Sequence, residues 1–273
     1  MKIETTQSVT EDPDEAVEKD RHIVTALGRG LRVLRCFSHE RPELSANDIV
    51  RMTGLPQPTV WRLCRTLASE GLIVCAGEPN RMALGLPVLA LGYAALARQP
   101  LARLAMPAMQ ALTERLQLGT SLAAPVGLEM VYIQRTHGDF VYFNDPVGSR
   151  RPLATAPTGW ACLAAWDEAR RAETLKEIKR QGSKAFPALE RRIRAAIDHY
   201  HLTGFITSIG VLHEHFNAVA VPVRGADGQV HGLSASGIAA LWPEEKLKVL
   251  GAELVALARD LSAPPETTTK EKQ

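Results

Sequence analysis

The segment SANDIVRMTGLPQPTVWRLCRTLASEG, residues 45–71, carries two helical patterns separated by a short turn. Ser45 can cap the first helix, and Asp48 three residues later completes a variant of the capping box. Ile49 and Val50 are expected to face inward. Gly54 is a typical helix stop. The pattern therefore predicts a short capped helix that ends at Gly54.

The second helix of this segment is predicted to begin near Pro58, because proline is tolerated at the first helical position. The same proline disfavours helical geometry at Gln57. Gly71 supplies the stop. Two helices joined through residues 54–57 have the spacing of a helix-turn-helix.

One face of the second helix is apolar and the other is polar and cationic. The apolar positions follow the i, i+3, i+4, i+7 pattern of a buried stripe and are Val60, Leu63, Cys64 and Leu67. The outward positions are Thr59, Trp61, Arg62, Arg65 and Ser69. Arginine can donate two hydrogen bonds to guanine, so the outward face predicts contact with DNA. The alternative is a two-helix surface corner with unrelated arginines.

The flanking sequence completes a winged helix-turn-helix. Residues 25–38 predict a helix with a stripe at Leu27, Leu31, Leu34 and Ser38, and with Val33 and Phe37 beside it. Residues 72–75 and 81–84 predict two strands around the turn residues 77–80. The order is helix, helix, turn, helix and two-stranded wing.

The charge of the chain is uneven. The 273 residues carry a net charge of +2. Residues 1–20 carry −5 and are predicted to be a disordered acidic tail, whereas residues 21–85 carry +4 with arginine as their only basic residue apart from histidine. Arginine suits phosphate and guanine contacts, although ordinary surface charge is an equally good explanation of this block alone.

The rest of the chain predicts an α+β domain. Helices are expected at 86–99, 101–118, 157–181, 187–202 and 243–261, and strands at Ser121–Val126, Met130–Arg135, Phe140–Phe143, Asn217–Arg224 and Gln229–Ser236. The last two strands form a hairpin around residues 225–228. The predicted organisation is thus an acidic tail at 1–20, a winged helix-turn-helix at 21–85, a linker helix at 86–99, an α+β domain at 100–262 and a disordered tail at 263–273.

Several classes of protein are disfavoured. No apolar run reaches the length of a membrane span, and no signal peptide precedes residue 21. The four cysteines lack zinc spacing, so the expectation is a cytoplasmic protein without membrane partner, metal or cofactor. Neither a phosphate-binding loop nor a nucleophile elbow is present, and no catalytic residue is predicted.

One motif leaves an enzymatic function as the alternative to DNA binding. His213 and His215 lie two apart on a predicted strand, so both point to one face and could bind a metal. Two ligands do not make a site, and solvated polar residues are the favoured interpretation. The alternative function is a metal-dependent hydrolase that uses these histidines.

Four motifs in order resemble the IclR family of bacterial transcriptional regulators. They are ALGRGLRVL (26–34), LPQPTVWRLCRTL (55–67), PLATAPTGWACLA (152–164), and VAVPV with LSASG (219–223 and 233–237). The resemblance covers about residues 22–262. It implies a winged helix-turn-helix, a linker helix and a GAF-like effector-binding domain. It also implies dimers, often paired into tetramers, on palindromic operator DNA.

The resemblance assigns roles to individual residues. The DNA-binding set that it implies is Ser45, Gln57, Thr59, Trp61, Arg62, Arg65 and Arg81, with Ser45 meeting phosphate at a helix N-terminus. The effector-binding set is Gly159, Trp160, Ala161, Ser208, Ala218, Ser234 and Ser236. Trp61 departs from the more usual polar residue of the family.

The effector-binding set contains groups that can donate hydrogen bonds to a carboxylate. The amides of residues 159–161 are predicted to begin a helix, which suits a carboxylate. Ser234 and Ser236 alternate onto one strand face, although a simple polar face explains them equally well. Family members that bind small keto acids tend to have an acidic residue at the position of Ser208 and a thiol at the position of Ala218. In this chain, Trp160 also stands where the family usually has a basic residue. These departures predict a roomier pocket for a larger carboxylated effector, with aromatic acids as candidates.

Overall fold

The computed structural model describes residues 23–77, 80–139, 145–181, 186–210 and 215–262. The two predicted tails, the predicted strand Phe140–Phe143 and His213 lie outside these ranges. The chain divides into two compact units between Leu91 and Gly92.

The first unit has the predicted order of elements. They are α1 (Thr25–Leu34), β1 (Glu43–Ser45), α2 (Ala46–Thr53), α3 (Gln57–Ser69), β2 (Ile73–Cys75), β3 (Arg81–Leu84) and the start of α4 (Pro87–Ala97). The three strands form an antiparallel sheet in the order β1-β3-β2. The sequence predicted the hairpin β2–β3 but missed β1.

The core of this unit confirms the predicted stripe of α3. Val60 and Cys64 are buried, and Leu63 and Leu67 pack against the same cluster. Gly54 adopts the left-handed conformation that ends α2, with φ of 70°. α3 begins one residue earlier than predicted, at Gln57, because Pro56 supplies the extended residue before the helix, with ψ of 140°.

The prediction for α1 was wrong in its length and only partly right in its buried face. The helix ends at Leu34, since Ser38 and Arg41 form a reciprocal backbone pair that turns the chain. Leu34 of the predicted stripe packs on the core beside Val33 and Phe37, whereas Leu27 and Leu31 are 62% and 45% exposed. The buried residues of α1 are Gly30 and Val33, and Gly30 lies next to the Leu63 side chain of α3.

The second unit is an α+β domain. After α4 its helices are α5 (Pro100–Leu116), α6 (Pro157–Ala165), α7 (Glu168–Arg180), α8 (Phe186–Thr203) and α9 (Glu244–Ser262). Its strands are β4 (Gly119–Val126), β5 (Glu129–Thr136), β6 (Arg150–Pro152), β7 (Ile206–Ile209), β8 (Phe216–Arg224) and β9 (Val230–Ile238).

These strands form one antiparallel sheet in the order β6-β5-β4-β9-β8-β7. One face packs on α5 and α9 through residues such as Leu122, Val219 and Leu233. The other face packs on α6 and α8 through residues such as Ala123 and Ala220. The sheet thus has two buried faces, and each strand alternates its side chains between them.

The predicted helix 157–181 is two helices. Trp166 is extended, with ψ of 154°, and the side chain of Asp167 accepts a hydrogen bond of 2.8 Å from the Arg170 amide. Asp167 therefore starts α7 as an N-cap, a signal that helical periodicity across the break does not show. The short strands β6 and β7 were not predicted either.

Candidate DNA-binding surface and effector site

Ser45 and Asp48 form the predicted capping box at the start of α2. The Ser45 hydroxyl accepts a hydrogen bond from the Asp48 amide at 3.2 Å and donates to the Asp48 carboxylate at 2.7 Å. The Ser45 amide donates to the same carboxylate at 3.0 Å. The hydrogen bonds from Ser45 lower the pKa of Asp48. A phosphate would have to compete with this carboxylate, so the role of Ser45 in DNA binding stays a prediction.

The outward face of α3 presents an aromatic ring and two guanidinium groups. Gln57, Arg62 and Arg65 are exposed, Thr59 is half-buried, and Trp61 is 55% exposed. The Arg65 guanidinium carbon lies 4.9 Å from the centre of the Trp61 ring. Such stacking gives an exposed tryptophan one covered face and preorganises the arginine beside it. Two cations and an aromatic edge thus project from the second helix of the helix-turn-helix.

The wing brings another predicted residue next to α2. Arg81 is exposed on β3 and is paired with Ser45 in the β1–β3 register. Its guanidinium donates to the Glu43 carbonyl at 3.4 Å. The unpredicted strand β1 therefore places Ser45 and Arg81 side by side, which the sequence separation did not reveal.

The predicted effector serines share one face of the large sheet. Ser208 pairs with Ala218, and Ala218 pairs with Ser236, so these three residues form a row across β7, β8 and β9. Ser234 lies two residues along on the same face and pairs with Ala220. The three serines are buried, and their hydroxyls form no hydrogen bond with any other described residue.

The predicted helix residues lie on α6, which packs on this face. The prediction that the helix begins with the amides of residues 159–161 was wrong by two residues, because α6 begins at Pro157. The Trp160 amide already donates to the Ala156 carbonyl at 3.0 Å, and Ala161 lies one residue deeper in the helix. The amides without an intrahelical acceptor belong to Thr158 and Gly159.

The Trp160 side chain belongs to the core. It is 2% exposed, and its indole nitrogen donates to the Ala154 carbonyl at 2.6 Å. Gly159 packs directly on the Leu153 carbonyl, where a side chain would not fit. These two residues therefore fix α6 against the loop before it, and the effector roles predicted for them remain predictions.

Sequence reasoning missed a buried cation at this face. The Arg135 side chain is 4% exposed, and its Nε donates to the Ser121 hydroxyl at 3.1 Å. Its guanidinium lies 4.1 Å from the centre of the Tyr132 ring and 3.8 Å from the Asp145 carboxylate. Burial lowers the pKa of Arg135. Ser121 pairs with Ser234, so the sheet register, which sequence pattern alone does not give, joins the cation to the serines.

A separate cleft of about 520 Å³ lies between α7 and α8. Its two arginines are each paired within their own helix, Arg171 with Glu168 and Arg194 with Glu190. Such pairs on a solvated surface indicate ordinary surface chemistry, and the serine face is the better candidate site.

A winged helix-turn-helix joined to an α+β domain with a buried polar face defines a class of DNA-binding regulator. Family models agree with this architecture along most of the chain. Residues 26–74 match the IclR helix-turn-helix domain, and residues 93–263 match the C-terminal domain of the bacterial transcriptional regulator IclR. The chain belongs to the IclR family of transcriptional regulators, as its motifs suggested.

Individual relatives support the assignment. The HTH-type transcriptional regulator TsaQ1/TsaQ2 of Comamonas testosteroni is 29% identical over 77% of this chain and 76% of its own. The structure of an IclR-family regulator from Brucella abortus is 34% identical, with a TM-score of 0.81, and the match covers 90% of this chain and 95% of that one.

A third protein is similar in fold. An IclR homologue from Microbacterium hydrocarbonoxydans, solved in complex with 4-hydroxybenzoate, has a TM-score of 0.67 and 22% identity. The match covers 87% of this chain and 98% of that one. Within the described part of the present chain, none of the helices has the length and apolar character needed to cross a membrane.

Proposed function

We propose that this transcriptional regulator binds palindromic operator DNA through α3 and responds to a small carboxylated effector, aromatic in its favoured form. The observation that carries the DNA-binding part is the exposed face of Trp61, Arg62 and Arg65 on the second helix of the helix-turn-helix. We assign no catalytic residue.

The arginines of α3 would enter the major groove, with Arg81 of the wing over the neighbouring backbone. The double variant Arg62→Ala/Arg65→Ala should bind operator DNA more weakly, by roughly 1–3 kcal/mol for each arginine that contacts a base. The slope of affinity against salt should also become shallower for each phosphate that the variant no longer neutralises. Fluorescence anisotropy with labelled duplexes measures both effects.

The matched control removes the same charge elsewhere. Arg191 and Arg192 are neighbouring exposed arginines on α8, so their double alanine variant has the same net charge as the α3 variant. It should bind DNA like the wild type. An equal decrease in affinity in both double variants would show that net charge, and not α3, determines binding.

The same proposal includes assembly into dimers or tetramers. α4 has no buried residue in the isolated chain, and it and the residue before it expose Leu86, Leu89, Leu91 and Tyr93. An apolar surface of this kind is typical of a protein–protein contact. Analytical ultracentrifugation should therefore detect a dimer or larger species, whereas a monomer at micromolar concentration would contradict this part.

The effector part rests on the buried serine face beside Arg135. A carboxylate accepts hydrogen bonds, and backbone amides, hydroxyls and a guanidinium can all donate them. Ala218 and Ala220, which lie beside the serines in the sheet, are buried and carry only methyl groups. The Microbacterium homologue supports only the point that this fold can hold an aromatic acid.

A thermal-shift panel tests the effector class. Benzoate or 4-hydroxybenzoate should raise the melting temperature, because a ligand that binds only the folded state stabilises it. Stabilisation by glyoxylate or pyruvate but by no aromatic acid would contradict the proposal. In the proposed mechanism, effector binding shifts the population between assemblies that do and do not fit the operator. The coupling free energy between effector and DNA binding is typically about 1–3 kcal/mol.

A further inference from the structure

Trp61 is a large apolar residue on the cationic face of α3. It is 55% exposed, and it is not part of the core cluster in which Val60 and Cys64 are buried. A tryptophan usually contributes its large surface to a core or to an interface. Because the core of this unit leaves more than half of Trp61 in solvent, an interface is the use that remains for the ring.

Arg65 covers one face of the Trp61 ring. It follows one helical turn later, and its guanidinium carbon lies 4.9 Å from the ring centre. Stacking uses the flat face of a guanidinium, so the N–H groups along its edge can still donate hydrogen bonds. These N–H groups have no acceptor among the described residues. The pair therefore presents hydrogen-bond donors and an apolar ring side by side.

The major groove of DNA offers one partner for each half of this pair. Guanine O6 and N7 can accept two hydrogen bonds from a single guanidinium, which suits Arg65. The 5-methyl group of thymine is the one apolar group that the base edges expose in this groove. The indole carbons of Trp61 gain nothing from phosphates or polar base atoms, whereas packing on a methyl group removes apolar surface of both partners from water.

The helix geometry limits how far apart the two bases can be. Residues four apart are separated by about 6 Å along a helix axis, and neighbouring base pairs are separated by about 3.4 Å. The bases that Trp61 and Arg65 contact therefore lie within one or two base pairs of each other. Arg62 lies about 100° around the helix from Trp61, so it reaches a different position.

We infer that Trp61 is a specificity-determining residue, which contacts the 5-methyl group of a thymine within two base pairs of the guanine bound by Arg65. This inference rests on the proposed function, because it names a base within the half-site that α3 contacts. The preference for thymine at this position comes from an apolar contact and not from a hydrogen bond.

The test begins with selection from a library of random duplex DNA by the wild type and by Trp61→Ala. The wild type should enrich half-sites that contain a thymine. In the alanine variant this thymine should lose its enrichment, while the other enriched positions remain. The variant should melt at nearly the same temperature as the wild type, because Trp61 lies outside the core cluster.

Uracil is thymine without the 5-methyl group, so it isolates the methyl contact. Replacing the selected thymine by uracil should raise the wild-type dissociation constant about fourfold for each half-site, the usual effect of one buried methyl group. Trp61→Ala should bind the two duplexes within about twofold of each other, since the partner of the methyl group is gone. Trp61→Phe keeps an aromatic ring and should still prefer thymine. Uracil at a thymine outside the enriched positions is the control and should have no effect.

The outcomes distinguish this inference from the function on which it rests. If the wild type enriches a sequence in which no thymine depends on Trp61, or binds the uracil and thymine duplexes equally, the inference is wrong and the DNA-binding role of α3 stands. If Trp61→Ala loses affinity equally for all sequences, the ring contacts the sugar–phosphate backbone and the inference is also wrong. If the wild type enriches no sequence, the proposed function fails and this inference fails with it.

Discussion

At the scale of single residues, Ser45 has two incompatible uses for its hydroxyl. It caps α2 and bonds to Asp48, and the family resemblance also assigns it to a DNA phosphate. Ser45→Ala should lower stability by about 1 kcal/mol, the usual effect of losing an N-cap. The readout is chemical denaturation.

The DNA affinity of the same variant separates the two roles. If Ser45 acts chiefly as a cap, the affinity should change by less than threefold at a temperature where the variant is folded. A large decrease in affinity with unchanged stability would show instead that the hydroxyl serves the phosphate and that the capping box contributes little.

The cysteines offer a second prediction at this scale. Burial raises the pKa of Cys162 to about 12, and burial also raises the pKa of Cys36 and Cys64. Cys75 is exposed on β2. Because the thiolate is the reactive form, a thiol reagent should modify one cysteine rapidly in the native protein and four in denaturant.

The control for this prediction is Cys75→Ser, which should abolish the rapid phase. Rapid labelling that persists in the variant would mean that a thiol described as buried opens to solvent on the timescale of the reaction.

At the scale of elements, β9 links two sides of the second unit. Its even-numbered residues face α6 and the serine site, and His231 faces the other way with its Nε2 3.5 Å from the Gln99 side chain. Gln99 directly precedes α5. A ligand that shifts β9 would thus act on the residue where the linker helix gives way to the effector domain.

The same histidine predicts a pH dependence. Burial lowers the pKa of His231, against a smaller opposing effect of its hydrogen bond to the Gln229 carbonyl. The unfolded chain therefore takes up this proton first, at pH values near 6.5, and stability should fall as the pH drops below that value. Melting temperatures between pH 7.5 and 5.5 measure the slope, and His231→Gln should make it shallower. An unchanged slope in the variant would show that other groups dominate.

The elements also show what sequence could and could not predict. The stripe of α3, the capping box of α2 and the hairpin β8–β9 are local patterns, and the structure confirms them. β1 is only three residues long and is held by pairing with β3, almost forty residues away, so no local pattern marks it. The position of Arg135 beside the serines depends on sheet register, which sequence alone does not give.

At the scale of the whole molecule, the net charge of +2 gives little indication of a DNA-binding protein. The signal lies in its distribution, because an acidic segment offsets a block whose basic residues are arginines and histidines. The structure divides the chain inside α4, so we assign reading DNA and sensing an effector to separate units. In the proposed mechanism, regulation requires that these units assemble with a second copy of the chain.

The proposal that α3 reads operator DNA is tested most directly by selection from a library of random duplex DNA with the 273-residue chain. We expect enrichment of an inverted repeat with two half-sites. The enrichment should disappear in the Arg62→Ala/Arg65→Ala variant and persist in the Arg191→Ala/Arg192→Ala control. Recovery of no preferred sequence by the wild type, or of the same sequence by the α3 variant, would contradict it.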